Sequence, residues 1–384
     1  MKIVIAPDSF KGNLTSLEVA KAIEKGVQRV LPKANCVKVP MADGGEGTVQ
    51  SLVDAMGGKF VYRKVSGPDG VVIRARYGLL ADKLTAVIEM AEASGLPLIA
   101  ESERNPLTAT SHGTGELIID AINKGAQKII IGIGGSATND GGAGMAQALG
   151  VKFLDSRGRE IRTLAAGGML NRIADINMEN IHVGLKKCKI IVASDVDNPL
   201  CGKRGASYVF GPQKGATPAM VKRLDSNLNH FARLIKNRLN INVRSLKGAG
   251  ASGGLGAGLV AFAGAKLQSG VDIVMQATDF ESHLNKADLV ITGEGRVDFQ
   301  TAFGKTPAGI AKVAKKHKVP VIAIGGGLSD DASGVFNFGI DGLDSAIARD
   351  MPLQEALAGS RKFISNAAER AMRMILVGKK MRKK

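Results

Sequence analysis

Residues 129–150 read IIIGIGGSATNDGGAGMAQALG. The apolar run Ile129–Ile131 meets a glycine cluster, and an alanine-rich, helix-like segment follows. Gly132, Gly134 and Ala137 satisfy G-x-G-x-x-A, and Asp155 stands where a dinucleotide fingerprint expects a ribose-binding acid. That fingerprint needs a helix at once. Here Thr138-Asn139-Asp140-Gly141-Gly142 intervenes, and two adjacent glycines inside a helix cost roughly 1 kcal/mol each relative to alanine. The helix is therefore expected to begin near Gly142–Ala143. Thr138, Asn139 and Asp140 then form an extended loop ending at a helix N-terminus. Such a loop can hold phosphate on its backbone and a cation on Asp140. Asp155 becomes a surface residue.

The same strand-then-helix rhythm extends outward. Lys2–Ala6 reads as a strand, and Thr15 or Ser16 can cap a helix running to about Val30, with Glu18 in its first turn. Further strands are expected at Cys36–Val39, Lys128–Ile133, Lys189–Ser194, Asp288–Thr292 and Val319–Ile324. Helices are expected at Gly47–Met56, Gly113–Lys124, Ala219–Leu239 and Pro307–Lys316, with a last one from about Leu353 to Leu376. Alternation of this kind builds a mostly parallel sheet with covered faces. Residues 59–90 differ: successive strand patterns with turn signals at Gly67-Pro68-Asp69-Gly70 and Ala81-Asp82 indicate an antiparallel meander. The expected fold is α/β with two domains. Residues 1–60 plus 286–384 form a discontinuous Rossmann-like domain with a mostly parallel sheet. Residues 61–285 form an inserted domain with a mixed sheet.

Composition limits the function. Glycine reaches 49 of 384 residues, nearly twice the usual share of about 7%, and it clusters in loops after apolar runs, as backbone-lined anion sites require. No apolar run approaches the roughly 18 residues of a membrane span, and Met1–Ala6 is a short strand pattern broken by Pro7 rather than a signal peptide. Cys36, Cys188 and Cys201 form no C-x-x-C pair, so a reducing, cytoplasmic setting is expected. The five histidines lack metal-ligand spacing. A net charge of +17 raises the question of nucleic acid. However, the lysines spread over helix faces, aromatic platforms are scarce, and the one dense run, GKKMRKK at 378–384, reads as a tail. A solvated basic surface, compatible with small anionic substrates, is the expectation.

Several loops carry chemistry. PDSFKG (7–12) follows the first strand and offers Asp8, Ser9 and Lys11 where open α/β sheets bind ligands. ADGGEGT (42–48) places Asp43 and Glu46 among three glycines, suited to a cation or a proton acceptor. SHGTGE (111–116) can cap a helix. SDVDNPL (194–200) puts Asp195 and Asp197 at a strand end, and GPQKGA (211–216) adds Lys214. GAGASGGLGAG (248–258) matches G-x-G-x-x-G a second time without a clear strand before it. It reads as a backbone nest for an anion or as close helix packing. TGEGRVDFQTAFGKTP (292–307) brings Glu294, Arg296, Asp298 and Lys305 into one loop. Gly304-Lys305-Thr306 resembles the end of a P-loop, but Phe299 stands where a Walker A needs glycine. Acids for Mg²⁺ and cations for phosphate oxygens are the parts of phosphoryl transfer.

Together and in this order, these motifs resemble the bacterial, type I glycerate kinase family. The matching stretches include DSFKG, ADGGEGT, HGTGE, GIGGSATNDGGAG, SDVDNPLCG, FGPQKGA, GAGASGGLGAG and TGEGRVDFQTAFGKTP. The resemblance implies ATP-dependent, Mg²⁺-assisted phosphorylation of D-glycerate, 2-phosphoglycerate being the associated product, by two α/β domains, one inserted in the other, with an active-site cleft between them. Under it, Gly134, Gly135, Ser136, Thr138, Asn139, Gly250, Ser252, Gly253, Gly254 and Lys214 are expected to hold ATP. Asp195, Asp43 and Asp140 are candidates for Mg²⁺, with Asp195 or Asp43 accepting the glycerate proton. Lys11 and Arg296 are the catalytic cations, and Ser9, Lys11, Glu294, Arg296, Asp298 and Lys305 bind substrate. A homodimer is compatible with the sequence, and no membrane partner is expected. Two rivals remain at this level: an NAD-dependent hydroxy-acid dehydrogenase, built on the two glycine fingerprints, and a nucleic-acid-binding protein, built on the charge.

Overall fold

Five parallel strands carry the ends of the chain, and a six-stranded mixed sheet carries its middle. The structure is a computed structural model that describes residues 1–302 and 305–381. Two compact units emerge. The first holds Met1–Asp43, Gln50–Gly57 and Val271–Lys384, and the second holds Gly44–Val49 and Gly58–Gly270.

In chain order the strands are β1 (Lys2–Ile5) and β2 (Asn35–Lys38), then β3 (Gly58–Ser66), β4 (Val72–Leu80), β5 (Thr85–Glu89) and β6 (Lys128–Gly132). A short hairpin, β7 (Lys152–Leu154) and β8 (Asp175–Asn177), precedes β9 (Lys189–Ala193) and β10 (Lys266–Gln268). The chain closes with β11 (Leu289–Val297), β12 (Val321–Leu328) and β13 (Gly342–Ser345).

The first unit orders its strands β13-β12-β11-β1-β2, all neighbours parallel. The helix Ser16–Val30 joins β1 to β2, and Thr15 closes its capping box with Glu18, each satisfying a backbone donor that has no partner within the helix. Ile3 and Ile5 of β1 pack with Val19, Ile23 and Val27 of that helix and with Ile364, Ala368 and Met372 of the C-terminal helix, Ser360–Met381. Burying side chains of this size contributes about 1.5–3 kcal/mol each.

The second unit orders its strands β10-β9-β6-β5-β4-β3. Strands β5, β6, β9 and β10 are parallel, and β3 to β5 are the antiparallel meander read from residues 59–90. One core lies where Ile88, Ile129, Ile131 and Val192 meet Leu117, Ile118 and Leu255. A second is centred on Phe153, Phe231 and Phe262, whose rings stand 5.7–6.1 Å apart. Among the described residues no helix is long and apolar enough to cross a membrane.

Three expectations are corrected. The strand expected to stop at Thr292 runs on to Val297, because Gly325–Gly327 of β12 continue the pairing, with Glu294 opposite Gly325 and Arg296 opposite Gly327. The single last helix is two, Leu353–Ala358 and Ser360–Met381, broken at Gly359. There the Ser360 hydroxyl lies 2.8 Å from the carbonyls of Ala356 and Leu357. Residues 378–381, read as part of a basic tail, belong to that helix; residues 382–384 lie outside the described part.

Candidate functional site

In the first unit, β1 leads through its helix to β2 on one side, and β11 leads through the helix Thr306–Lys316 to β12 on the other. The carboxyl ends of β1 and β11 therefore form the point where strand order reverses. A crevice opens at such a point, and ligands of open α/β sheets bind there. Here it is a cavity of about 580 Å³. Its charged lining comes from the loop after β1 (Asp8, Ser9, Lys11) and from β11 with the segment that follows (Glu294, Arg296, Asp298, Lys305). Seven residues singled out in the sequence, from stretches some 285 residues apart, thus share one cavity. Gly304 lies outside the described residues.

Electrostatics in this crevice are strongly coupled. Lys11 Nζ lies 3.0 Å from Asp43 Oδ2. Asp8 is only 4% exposed; it accepts the Thr306 hydroxyl at 2.6 Å and the Ser9 N–H at 2.6 Å. Burial, with the charge of Asp43 added to it, pushes Asp8 up to about 7. Burial disfavours the Lys11 ammonium, but Asp43, Asp8 and Glu294 outweigh it and hold its pKa above the usual lysine value. Lys305 Nζ stands between Glu294 Oε2 at 3.6 Å and Asp298 Oδ1 at 3.7 Å. Glu294 is raised by burial, against the pull of Thr301 and Lys305, and its Oε1 is buried with no hydrogen-bond partner among the described residues. Arg296 is exposed at the rim. Its spacing from Glu294, two residues on one strand, places both side chains on the same face.

The stretch 129–150 lies in the second unit. Its helix is Ala143–Ala148, with Gly142 as N-cap at φ +75°, so the loop reading stands and the dinucleotide geometry does not form. Asp140 is fully buried. It accepts from the Ser111 hydroxyl at 2.7 Å and from the N–H groups of Ser111, Gly142 and Gly144 at 2.9–3.2 Å. Lys214 is buried too, donating to Ser136 Oγ at 2.7 Å and the Thr138 carbonyl at 2.6 Å. Burial drives its ammonium down to about 7, partly opposed by Asp140. Asn139 donates to Ser207 Oγ at 2.8 Å.

The second glycine-rich stretch packs on this loop. Ser252, Gly253 and Gly254 are left-handed, at φ 54°, 67° and 90°. A Cβ on Gly253 would stand 2.0 Å from the Thr138 carbonyl oxygen. Gly250 is equally tight, its missing Cβ 2.2 Å from the Pro199 carbonyl. Of the expected nucleotide residues, Gly134 and Gly135 are exposed, Ser252 is half-buried, and Ser136, Thr138, Asn139, Gly250, Gly253, Gly254 and Lys214 are buried. Asp195 is exposed at the carboxyl end of β9, where its Oδ1 accepts the Gly270 N–H at 3.0 Å. Asp197 pairs with Lys247 at 3.0 Å. Asp155, no longer a ribose ligand, is held by Arg159 on the surface.

Sequence reasoning gave no site role to Thr306, Glu89 or Gly326–Gly327. The glycine run after the apolar Val321–Ile324 carried the same signal as the other loops. Glu89 gave none: it is half-buried at the end of β5, accepts the Val49 N–H at 2.8 Å, and is pushed up to about 7 by loss of solvent around it.

The model of the glycerate kinase family matches residues 3–376. A glycerate kinase of Halalkalibacterium halodurans is 54% identical over 366 residues, 95% of this chain and 96% of that one. A glycerate 2-kinase of Escherichia coli is 51% identical, covering 98% and 99%. A solved chain from Salmonella typhimurium LT2, described as glycerate kinase 2, superposes with a TM-score of 0.91 at 48% identity over 99% of both chains.

Proposed function

Because this chain belongs to the glycerate kinase family and is a kinase acting on glycerate, we propose that ATP is its phosphoryl donor, D-glycerate its acceptor and 2-phosphoglycerate its product. The observation that carries this reading is the convergence of Asp8, Lys11, Glu294, Arg296 and Lys305 on one cavity at the strand reversal of the first unit. Phosphoryl transfer is mainly positioning and charge stabilisation, and this set supplies both.

Arg296 binds the glycerate carboxylate, to which a guanidinium offers a two-pronged fork. Lys11 and Lys305 neutralise the transferred phosphoryl oxygens. Both are already oriented by acids: Asp43 on the first, Glu294 and Asp298 on the second. Glu294 Oε1, buried without a hydrogen-bond partner among the described residues, accepts the proton of the reacting hydroxyl. Ser9 donates to the substrate. The residues fit Mg²⁺ in one respect: burial raises Asp8 and the nearby charge of Asp43 adds to it, and a cation between such carboxylates relieves that repulsion. Among the described residues no group of three or more metal-binding side chains converges, which suits an ion that binds one or two carboxylates and otherwise keeps water and phosphate. Held by Asp8 and Asp43, Mg²⁺ would offset charge on the phosphate chain.

In the second unit, Asp140 and Lys214 position the loop that presents the exposed N–H groups of Gly134 and Gly135 to an anion. Asp195 is the remaining acid proposed for proton or Mg²⁺ binding, and an Asp195→Asn enzyme with unchanged kcat removes it from either role. The deciding experiment is ADP release coupled to D-glycerate, L-glycerate and other hydroxy acids, with the product's phosphate position read by ³¹P NMR. Turnover confined to D-glycerate and a 2-phosphate resonance support the reading; a 3-phosphate or an absolute indifference to ATP defeats it.

A further inference from the structure

One end of the cavity in the first unit has no use for glycerate. Beyond its charged end it continues past the carboxyl ends of β12 and β13, where Leu328, Ile347, Leu353, Leu357 and Phe363 line it. Leu353 and Leu357 are 72% and 43% exposed, on a short surface helix that turns apolar side chains into a crevice. Glycerate carries a carboxylate and two hydroxyls on three carbons, and it buries nothing against such a wall. Between the two ends stands a polar pair, the Asn13 amide donating to Ser360 Oγ, and both residues line the cavity.

We infer that this apolar end holds the purine base of the nucleotide, with its ribose at Asn13 and Ser360 and its phosphates directed to Lys11 and Lys305. The inference rests on the kinase reading above and adds to it the place of the nucleoside. Three features carry it. The lining combines an apolar end, a neutral polar pair and a charged end where Lys11 and Lys305 stand among Asp8, Glu294 and Asp298, matching base, ribose and Mg²⁺-bound phosphates in a nucleotide. The strands run β1, β11, β12, β13, so the two ends are three inter-strand spacings apart, about 14 Å, which calls for an elongated ligand. Phe363 supplies an aromatic ring to a lining shared with Leu328, Ile347, Leu353 and Leu357, the composition that suits a flat heterocycle.

The test separates base from phosphate. ADP and inorganic pyrophosphate are titrated calorimetrically into the full chain, without glycerate, for the wild type, Leu357→Glu and Phe363→Ala. Leu357 lies on the surface, so its variant leaves the core intact; Phe363→Ala removes the ring without adding charge. ADP should bind at least about tenfold more weakly to both variants, the loss of a base's apolar contacts, while pyrophosphate binds as before. Unchanged ADP affinity in both variants overturns the inference, and so does a parallel loss of ADP and pyrophosphate. A wild-type chain that turns over no ATP with glycerate defeats the kinase reading alone, because ADP binding is read without turnover.

Discussion

Lys214 offers a quantitative test of how the glycine-rich loop of the second unit is held. Its amine is buried, bonded to Ser136 Oγ and the Thr138 carbonyl, and its pKa falls to about 7 because burial disfavours the charge. In the unfolded chain the same lysine titrates near its ordinary value of about 10.4. Between these two values the unfolded chain binds the extra proton, so stability rises with pH, by about 1.4 kcal/mol per pH unit at most. Below about pH 7 the cost of burying the lysine is at its full value, and above its unfolded pKa that cost is gone. Lys214→Met keeps the length of the side chain and removes the titration. The stability of the wild type minus that of Lys214→Met should therefore climb by about 2 kcal/mol between about pH 7.5 and about pH 9.5. Asp140 does not disturb the difference, since above the folded pKa of Lys214 it faces a neutral amine in one protein and a thioether in the other. Urea unfolding followed by circular dichroism at three pH values in this window measures it. A difference that stays flat means that the ammonium remains charged in the fold, and the reasoning fails.

Three further outcomes are expected. Gly253→Ala forces a Cβ to 2.0 Å from the Thr138 carbonyl at φ +67°; it should cost more than the 1–2 kcal/mol of left-handed strain alone and lower the melting temperature by several degrees in a thermal scan. Asp8→Asn removes the carboxylate that Thr306 and Ser9 orient, so kcat should fall by at least about 100-fold, with circular dichroism unchanged; an active variant would take Asp8 out of the machinery. Arg296→Lys keeps the charge at an exposed position but loses the fork, and the KM for glycerate should rise about tenfold while that for ATP moves less.

Much of this was legible in the chain because the signals were local. The capping box at Thr15–Glu18 is written in four consecutive residues, and the meander at 59–90 in its period-two pattern and turn residues. The helix start at Gly142 follows from what paired glycines cost a helix. The end of β11 was not legible, since Glu294–Val297 are in a strand only because Gly325–Gly327 pair beside them. The helix break at Gly359 was equally hidden: a hydroxyl reaching back to two carbonyls leaves no periodic trace.

The sequence by itself determined an α/β chain with a meander in its middle, and a set of acids, cations and glycine loops suited to phosphoryl chemistry. It could do so because strand, cap and turn signals are short-range. Only the tertiary structure decided which of those residues work together. Asp8, Glu294 and Arg296 meet because parallel pairing of β1 with β11 brings together residues some 285 positions apart. Asp140, the sharpest acid in the opening stretch, is a fully buried anchor because four donors from Ser111, Gly142 and Gly144 close around it. Sequence names the polar groups; burial and long-range pairing decide which of them face a ligand and which are used up holding the fold.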